Sequence, residues 1–376
     1  MTGEVDAARE FEFGLGLMGY HGCWDDVAFA ERHGFATAGF VDSPLLGGET
    51  FACMALAARV TETIRLGPFL AVPSNRSAAT TAQGVATINR LAPGRVFLAL
   101  GTGYTSRNTF GLPPIGAERL RDYARECRGL LDAEAVEHVE GARGHLIEFA
   151  QRARDYIDLE ARVPVYVAGD GPKALRAVGE SGDGWVTTLQ RANIMGDSAE
   201  RFAEALTLVR AAALEAGRSF PADAYTMWSN TLCVLEPGES ATSERVLARV
   251  GAYAMMPFHS WADDPRIAAF LPAAVGERLE VYEREVLARF PGGAAQRHRY
   301  VHRGHLSHLQ PGEQRVLTEE IVRMTTLTGS AEQIAERLRG LARAGLRNLS
   351  IWAPPPLTRE VVTEVHDRIA PLLRAS

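Results

Sequence analysis

The chain has 376 residues, of which 46% are hydrophobic and 23% charged, and its formal net charge is −6 at pH 7. That length fits one large α/β barrel or about two to three average domains. The mild negative charge gives no bulk attraction to nucleic acid or to an anionic membrane. We therefore expect a small-molecule substrate, with no nucleic-acid and no membrane partner.

The cysteines and the N-terminus predict a cytoplasmic protein. Cys23, Cys53, Cys127 and Cys233 lie far apart, and none belongs to a CxxC pair; such spacing is typical of reduced cysteines rather than of a disulfide framework or a zinc ribbon. The first ten residues, MTGEVDAARE, lack an apolar segment, so we expect no signal peptide. No apolar run is long enough to span a bilayer.

Short apolar runs alternate with amphipathic stretches along most of the chain. The apolar runs predict strands at residues 11–18, 36–41, 65–72, 96–100, 165–168, 184–187, 225–235 and 348–352. The amphipathic stretches predict helices at residues 24–33, 50–60, 79–91, 117–131, 172–180, 199–216, 331–344 and 358–373. This alternation predicts an α/β fold, specifically a (β/α)8 TIM barrel, although an open doubly wound sheet alternates similarly.

Two segments interrupt the alternation, at about residues 132–162 and 251–316. We interpret both as insertions in a single barrel domain that spans residues 1–376. The second is expected to be mostly helical, with its clearest helix at residues 282–290 (YEREVLARF). Insertions that follow barrel strands lie over the C-terminal face, where active sites form, so the second should shape the substrate pocket.

The motif GLGLMG, at residues 14–19, matches the GxGxxG pattern of dinucleotide-binding folds. Its glycines lie inside the first apolar run, however, and the next helix begins several residues later. The last glycine therefore cannot open a helix. The motif predicts close packing of small residues in a barrel strand.

The stretch VYVAGDGPKALRAVGESGDGWV, at residues 165–186, joins a strand to a helix through Gly-Asp-Gly-Pro. Pro172 suits the first helical position, and Gly171 suits the N-cap. A glycine cap leaves the N–H groups of the first turn available to an anion such as a phosphate. A plain strand-to-helix turn would use the same residues, so both interpretations stay open.

This stretch resembles the phosphate-binding signature of the luciferase-like superfamily of flavin and deazaflavin oxidoreductases. Residues 34–104 (GFATAGFVDSPLLGG…VFLALGTGY) are similar to the first half of that family, and residues 326–352 (TLTGSAEQ…NLSIW) resemble its last helix–strand unit. The resemblance is nearest to methylenetetrahydromethanopterin reductases that use the 8-hydroxy-5-deazaflavin coenzyme F-420. It implies a bacterial luciferase-like barrel and a homodimer.

The resemblance also implies roles for individual residues. Asp42 would contact the flavin-type ring, and Phe69–Leu70 would lie at a strand bulge where the family often has a non-prolyl cis peptide. The other implied cofactor contacts are the ring-edge loop Gly101, Thr102 and Gly103, the phosphate cradle Gly169, Gly171 and Pro172, and the hydroxyl of Thr187.

Two positions differ from the deazaflavin-dependent dehydrogenases of sugars and alcohols. This chain has Ser43 where those enzymes have a histidine, and Tyr104 where the glucose-6-phosphate enzymes have a glutamate. Alcohol oxidation needs a base with a pKa near neutrality. We therefore expect Asp42, Ser43, Tyr104 and His305 to serve reduction of a C=N or C=C bond by hydride from F-420, with the proton coming from water, Tyr104 or a histidine.

Two other functions remain compatible with these residues. One is reduced-FMN-dependent monooxygenation, which would call for FMN as cofactor and a separate flavin reductase as partner. The other is a barrel that binds a flavin without turnover, which the replacements at Ser43 and Tyr104 leave open. The substrate itself is not predicted by the sequence.

The segment RHRYVHRGHLSH carries His298, His302, His305 and His308. Metal binding is one interpretation, but no cysteine or HExxH pattern lies nearby and Gly304 would interrupt a helix, so we predict no metal. Substrate binding by His305 or His308 is the favoured function. The alternative is a basic loop that caps the barrel or meets a second subunit.

Arg76 follows the third predicted strand. It is a candidate for binding an anionic substrate, and a dimer contact is the alternative.

Overall fold

The structure is a computed structural model that describes residues 11–188 and 198–374. The first ten residues, on which the signal-peptide prediction depends, lie outside this part. The strands of the described residues are β1 (Glu12–Leu17), β2 (Thr37–Phe40), β3 (Arg65–Pro68), β4 (Leu98–Leu100), β5 (Val136–Glu140), β6 (Arg143–Ile147), β7 (Val165–Ala168), β8 (Gly184–Thr187), β9 (Tyr225–Asn230), β10 (Leu232–Val234), β11 (Leu327–Gly329) and β12 (Asn348–Trp352).

Helices connect most of these strands. They are α1 (Cys23–Arg32), α2 (Thr50–Val60), α3 (Ala78–Leu91), α4 (Tyr104–Asn108), α5 (Ala117–Leu131), α6 (Pro172–Ser181), α7 (Ser198–Glu215), α8 (Glu244–Ala254), α9 (Met256–Asp263), α10 (Ala273–Glu285), α11 (Glu319–Thr325), α12 (Ala331–Arg343), α13 (Thr358–Glu364) and α14 (Ala370–Arg374). A π-helical turn, Val365–Ile369, joins the last two.

Eight parallel strands form a sheet in the order β3-β2-β1-β12-β9-β8-β7-β4. Parallel bridges join Leu66 to Val96 and Ala71 to Leu100, next to the two outermost strands of that order. The Ala71 N–H donates to the Ala99 carbonyl at 2.8 Å, and the Gly101 N–H donates to the Ala71 carbonyl at 3.1 Å. These bonds bring the sheet nearly to closure as a (β/α)8 barrel, so the predicted fold class is confirmed.

The glycines of β1 allow close packing inside the barrel. A Cβ atom on Gly16 would lie 2.5 Å from the indole ring of Trp352, and one on Gly14 would lie 2.2 Å from the Thr37 hydroxyl. Real Cβ atoms do not approach other atoms so closely. The prediction of small-residue packing for GLGLMG is therefore confirmed.

The predicted strand at residues 225–235 is wrong, because it is two strands. The Asn230 side chain accepts a hydrogen bond from the Thr231 N–H at 2.7 Å, and the Thr231 hydroxyl donates to the Trp352 carbonyl at 2.6 Å. These local bonds end the pairing of β9. The following strand β10 pairs with β11 in a separate two-stranded sheet.

The predicted helix at residues 282–290 is α-helical only over residues 282–285. Helix α10 begins at Ala273 and ends at Glu285, because Val286 leaves helical geometry with φ −121° and ψ −66°. This change leaves Val286 and Leu287 buried in a hydrophobic cluster. A short 3-10 turn, Leu287–Arg289, follows.

The two interrupted segments have different structures. Residues 132–162 include the antiparallel hairpin of β5 and β6, which the sequence did not reveal. Residues 251–316 supply much of a second hydrophobic cluster, which includes Phe258, Tyr282 and Val301 and lies apart from the barrel core.

All four cysteines are buried and free. Among the described helices, none is both long enough and apolar enough to cross a membrane.

Candidate active site

A cavity of about 510 Å³ lies at the C-terminal ends of the barrel strands. Most of its wall is formed by residues at or just after the C-terminal ends of β2, β3, β4, β7, β8, β9 and β12. Residues between 253 and 271, and residues 305–306, complete it. This is the face at which barrel enzymes build their active sites. As expected from the sequence, part of the 251–316 segment lines the pocket.

The structure places most of the predicted site residues on the wall of this cavity. Lining residues include Asp42, Ser43, Phe69, Leu70, Thr102, Gly103, Tyr104, Gly169, Thr187 and His305. The other predicted residues, which do not line it, are Arg76, Gly101, Gly171, Pro172 and His308.

Asp42 is a buried carboxylate that its neighbours hold in place. Its Oδ1 atom accepts a hydrogen bond from Arg76 Nη1 at 2.6 Å. Its Oδ2 atom accepts bonds from the Val72 N–H and from Asn75 Nδ2, both at 3.1 Å. Asn75 was not singled out from the sequence, and its contact with Asp42 depends on the loop after β3. The network leaves Asp42 fixed at the cavity wall as a charged acceptor.

Arg76 pairs with two carboxylates, Asp42 and Glu49, each at 2.6 Å. Burial acts to lower the pKa of the Arg76 guanidinium, but the hydrogen bonds and charges of Asp42 and Glu49 outweigh it and raise that pKa. The guanidinium also lies over the ring of Phe51, 5.0 Å from its centroid. The structure therefore places Arg76 behind Asp42, outside the cavity lining.

The segment after β3 forms one wall of the cavity. The peptide bond between Phe69 and Leu70 is cis. A Cβ atom on Gly101 would lie 2.5 Å from Leu70 Cδ1, and one on Gly103 would lie 2.4 Å from Val72 Cγ1. Gly103 also has a φ of +74°, which favours glycine. The loop after β4 can therefore lie directly against Leu70 and Val72.

The N-terminus of α6 is open to a ligand. Gly171 is its N-cap and Pro172 its first residue, as predicted, and no side chain caps the helix. The N–H groups of Lys173 and Ala174 have no acceptor within an α-helix. A Cβ atom on Gly171 would meet nothing within 4 Å, whereas one on Gly169 would lie 2.8 Å from the backbone of Ala174. Gly169 thus permits close packing, and Gly171 leaves open space.

Asp170 is turned toward the end of β8. Its carboxylate accepts hydrogen bonds from the Thr187 hydroxyl and, at 2.8 Å, from the Thr188 hydroxyl. Those contacts explain why this carboxylate does not cap α6. The first-turn N–H groups of α6 are therefore not used by this carboxylate.

Lys173, in the first turn of α6, is exposed and is the single lysine of the sequence. All other residues among the lysines and arginines of the chain are arginines. The residue was not singled out from the sequence, although its rarity was a signal. It adds a positive charge beside the open N–H groups.

Tyr104 connects the barrel to the segment at residues 251–316. Its hydroxyl donates a hydrogen bond to the Ser260 carbonyl of α9 at 2.8 Å. Burial, followed by the charge of Asp263, raises the pKa of this hydroxyl above its ordinary value. Tyr104 therefore stays protonated at neutral pH and forms part of the cavity wall.

The predicted histidines separate into two groups. His305 is buried at the cavity wall, and its Nε2 atom lies 3.5 Å from the Thr105 hydroxyl. Burial, together with the neighbouring His302 and His259, holds the pKa of His305 well below its ordinary value. His308 is exposed and pairs with the Ser307 hydroxyl at 2.9 Å.

His302 lies close to His305 and is also buried. Burial lowers the pKa of His302, and the hydrogen bond and charge of Asp263 offset only part of that effect. Both imidazoles are therefore neutral at pH 7. His259, which joins them from α9, was missed because it lies more than 40 residues away in the sequence.

The fold and the cavity define a class of protein, the TIM-barrel enzymes with a ligand site at the C-terminal face. Residues 19–348 match the sequence profile of a family described as luciferase-like monooxygenase. The chain belongs to this luciferase-like family of oxidoreductases, as the sequence motifs predicted.

Individual relatives show the same resemblance. The chain is 25% identical over 353 residues to a 5,10-methylenetetrahydromethanopterin reductase of Archaeoglobus fulgidus, covering 93% of this chain and 94% of that protein. Its fold is similar to the coenzyme F-420-dependent tetrahydromethanopterin reductase of Methanopyrus kandleri, with a TM-score of 0.64, 19% identity and coverage of 96% and 99%. A monooxygenase of Streptomyces bottropensis has a TM-score of 0.60, 14% identity and the same coverage.

Proposed function

We propose that this protein uses the deazaflavin coenzyme F-420 to transfer a hydride to a C=N or C=C bond of a small organic substrate. The observation that carries the proposal is the uncapped N-terminus of α6 beside the cavity, where Gly171 leaves open space. The similarity to a methylenetetrahydromethanopterin reductase along 93% of the chain supports the deazaflavin over FMN.

The residues present fit a flavin-type cofactor. The N–H groups of Lys173 and Ala174, with the Lys173 ammonium, would hold its phosphate. The apolar side chains of Phe69, Leu70 and Trp352 line the cavity and would pack against its ring system. When bound in its reduced form, the deazaflavin supplies a hydride and does not react readily with oxygen.

The chain's own residues would orient the substrate and exclude water. Asp42, held by Arg76 and Asn75, presents a fixed negative charge at the cavity wall. Above it, Met256, Ile267, Leu271 and Leu306 provide an apolar cover. Such a site suits a substrate that is largely apolar, with a few polar atoms near the reacting bond.

The polar side chains at the wall favour reduction over alcohol oxidation. Ser43 offers no base near neutral pKa, and the Tyr104 proton is engaged with the Ser260 carbonyl. His305 is a neutral imidazole whose Nε2 side faces Thr105, a lining residue. We infer that Ser43 and His305 form hydrogen bonds to the substrate while water supplies the proton.

Reduced-FMN-dependent monooxygenation is the second candidate, because the matching family profile is described as monooxygenase. It would require a separate flavin reductase as partner. A barrel that binds a flavin without turnover is the third candidate.

The test is an anaerobic reaction of the full-length protein with reduced F-420 and a panel of cyclic imines and enones. We expect at least one compound to oxidise the coenzyme in a protein-dependent manner, without oxygen. Substrate-dependent oxygen uptake with reduced FMN, and no oxidation of F-420, would contradict the proposal and support the monooxygenase. Tight cofactor binding with neither reaction across the panel would support the non-catalytic barrel.

A further inference from the structure

Three histidines converge next to the cavity. His259 comes from α9, whereas His302 and His305 come from the turns that follow the 3-10 segment Ala294–Arg299. All three are buried, with at most 8% of the residue exposed. One ring nitrogen of each lies within 4.8 Å of the others. The ring centroids are 5.4–6.2 Å apart.

Hydrogen bonds to carboxylates fix which nitrogen of His259 and of His302 carries a proton. His259 Nε2 lies 2.9 Å from Glu313 Oε1, and His302 Nε2 lies 2.8 Å from Asp263 Oδ2. Because a carboxylate only accepts, these Nε2 atoms are the donors. The Nδ1 atoms of neutral rings then carry lone pairs. The Nδ1 atoms of His259, His302 and His305 are all buried without a hydrogen-bond partner in the described chain.

Two buried carboxylates, Asp263 and Glu313, lie beside the cluster. The side chains of Asp263 and Glu313 are only 6% and 1% exposed. Within the described residues, neither carboxylate forms an ion pair with an arginine or a lysine. Buried charges are normally paired or bind metals. One divalent cation held by the Nδ1 atoms of the three imidazoles would lie close to both carboxylates and offset their charge.

We propose that His259, His302 and His305 bind one divalent transition-metal ion, with zinc as the first candidate. Three imidazoles suit zinc, whose nitrogen ligands lie at about 2.0–2.1 Å and therefore roughly 3.4 Å from one another. The present nitrogens lie within 4.8 Å of one another, so binding of the ion would draw the three rings closer together. Histidine ligands that donate their second N–H to a carboxylate are a recurring feature of metal sites.

The ion would connect two parts of the cavity wall. Helix α9 supplies the lining residues Met256, Pro257 and Ser260. The turns that follow the 3-10 segment Ala294–Arg299 supply His305 and Leu306. The Nε2 atom of His305 would remain directed at Thr105, so metal binding is compatible with a substrate contact by the same residue. This inference stands independently of the cofactor, because it depends only on the histidine cluster.

The experiment measures metal in the full-length protein. The chain is produced in medium supplemented with zinc, desalted, and analysed by inductively coupled plasma mass spectrometry. We expect about one zinc ion per chain. After chelation, Co²⁺ should give the intense visible bands of a tetrahedral site, and Zn²⁺ should abolish them. A wild-type protein with less than about a tenth of an ion per chain and no Co²⁺ bands would overturn the proposal.

Variants locate the site. Glu313→Gln keeps the shape of the side chain but removes its charge, and we expect its zinc affinity to fall about 10- to 100-fold. His259→Gln and His302→Gln should lose the ion, with circular dichroism as the check on folding. The matched controls His298→Gln and His308→Gln, in the same histidine-rich segment, should keep it. Unchanged affinity in Glu313→Gln, or loss of the ion in both controls, would assign the metal elsewhere and overturn the proposal.

Discussion

Gly171 is the residue on which the phosphate site depends most. Its φ of −99° is accessible to alanine, and an added Cβ atom would meet nothing within 4 Å. Gly171→Ala should therefore leave the thermal stability unchanged but place a methyl group where the phosphate approaches. We expect the affinity for F-420 to fall about 10-fold, in line with one lost charge-assisted hydrogen bond.

Gly116 offers a matched control for that substitution. It is the N-cap of α5, has no side-chain cap, and also has open space around its Cβ direction. Gly116→Ala should change neither stability nor affinity, as measured by thermal unfolding and fluorescence titration. Equal affinities for the two variants would show that the phosphate does not bind at α6.

The ion pair of Asp42 and Arg76 makes a second prediction. The Asp42 side chain is 2% exposed and that of Arg76 is 19% exposed, so Arg76→Met leaves a buried carboxylate without its cation. We expect a loss of about 3 kcal/mol in the free energy of unfolding, measured with urea. Asp42→Asn combined with Arg76→Met should recover part of that loss. If the double variant is less stable than Arg76→Met, the pair does not act as described.

Helix α1 is tied to the loop before β3 by a single carboxylate. Glu31 Oε1 accepts hydrogen bonds from the N–H groups of Glu62, Thr63 and Ile64 at 2.6–2.9 Å. Partial burial acts to raise the pKa of Glu31, but these backbone bonds outweigh it and lower the pKa. The side chain therefore stabilises the fold as long as it is ionised.

The pH dependence follows from the sign of that shift. A carboxylate whose pKa is lower in the folded state contributes stability above its unfolded pKa of about 4.3, and this contribution disappears as the pH falls through the folded value. Glu31→Gln should cost about 1 kcal/mol at pH 7, allowing for solvent screening, and almost nothing near pH 3. Urea unfolding across that range is the measurement, with Glu62→Gln as control. A cost that is independent of pH would contradict the assignment.

The elements that the sequence predicted are those with local signals. The strand–helix alternation and the Gly171–Pro172 helix start depend on neighbouring residues, and both are present. The hairpin of β5 and β6 was missed because the charged segment shows no apolar alternation, with both strands largely exposed. The pairing of β10 with β11 joins residues about 95 positions apart, which no local pattern encodes.

In the candidate site, too, the sequence predicted what local signals encode and missed what depends on distant residues. Residues at the ends of strands could be placed on one face, because all barrel strands point the same way. The support of Asp42 by Asn75 and the meeting of His259 with His302 and His305 arise from tertiary contacts between separate segments. No spacing within one segment predicts them.

At the scale of the whole molecule, the homodimer implied by the family resemblance remains a prediction. Light scattering coupled to size-exclusion chromatography should give twice the chain mass of 40.8 kDa. A monomeric mass at micromolar concentration would contradict it. The prediction is independent of the cofactor and of the metal.

The most direct test of the central claim is a fluorescence titration of the purified protein with F-420 and with FMN, each oxidised and reduced. The open N-terminus of α6 would hold the phosphate of either cofactor, whereas the similarity to a methylenetetrahydromethanopterin reductase favours the deazaflavin. We therefore expect F-420 to bind at least about 10-fold more tightly than FMN, a difference of roughly 1.4 kcal/mol. Tighter binding of reduced FMN would contradict the claim and make the protein a monooxygenase candidate. If neither cofactor binds, the phosphate site at Gly171 and Lys173 is wrong.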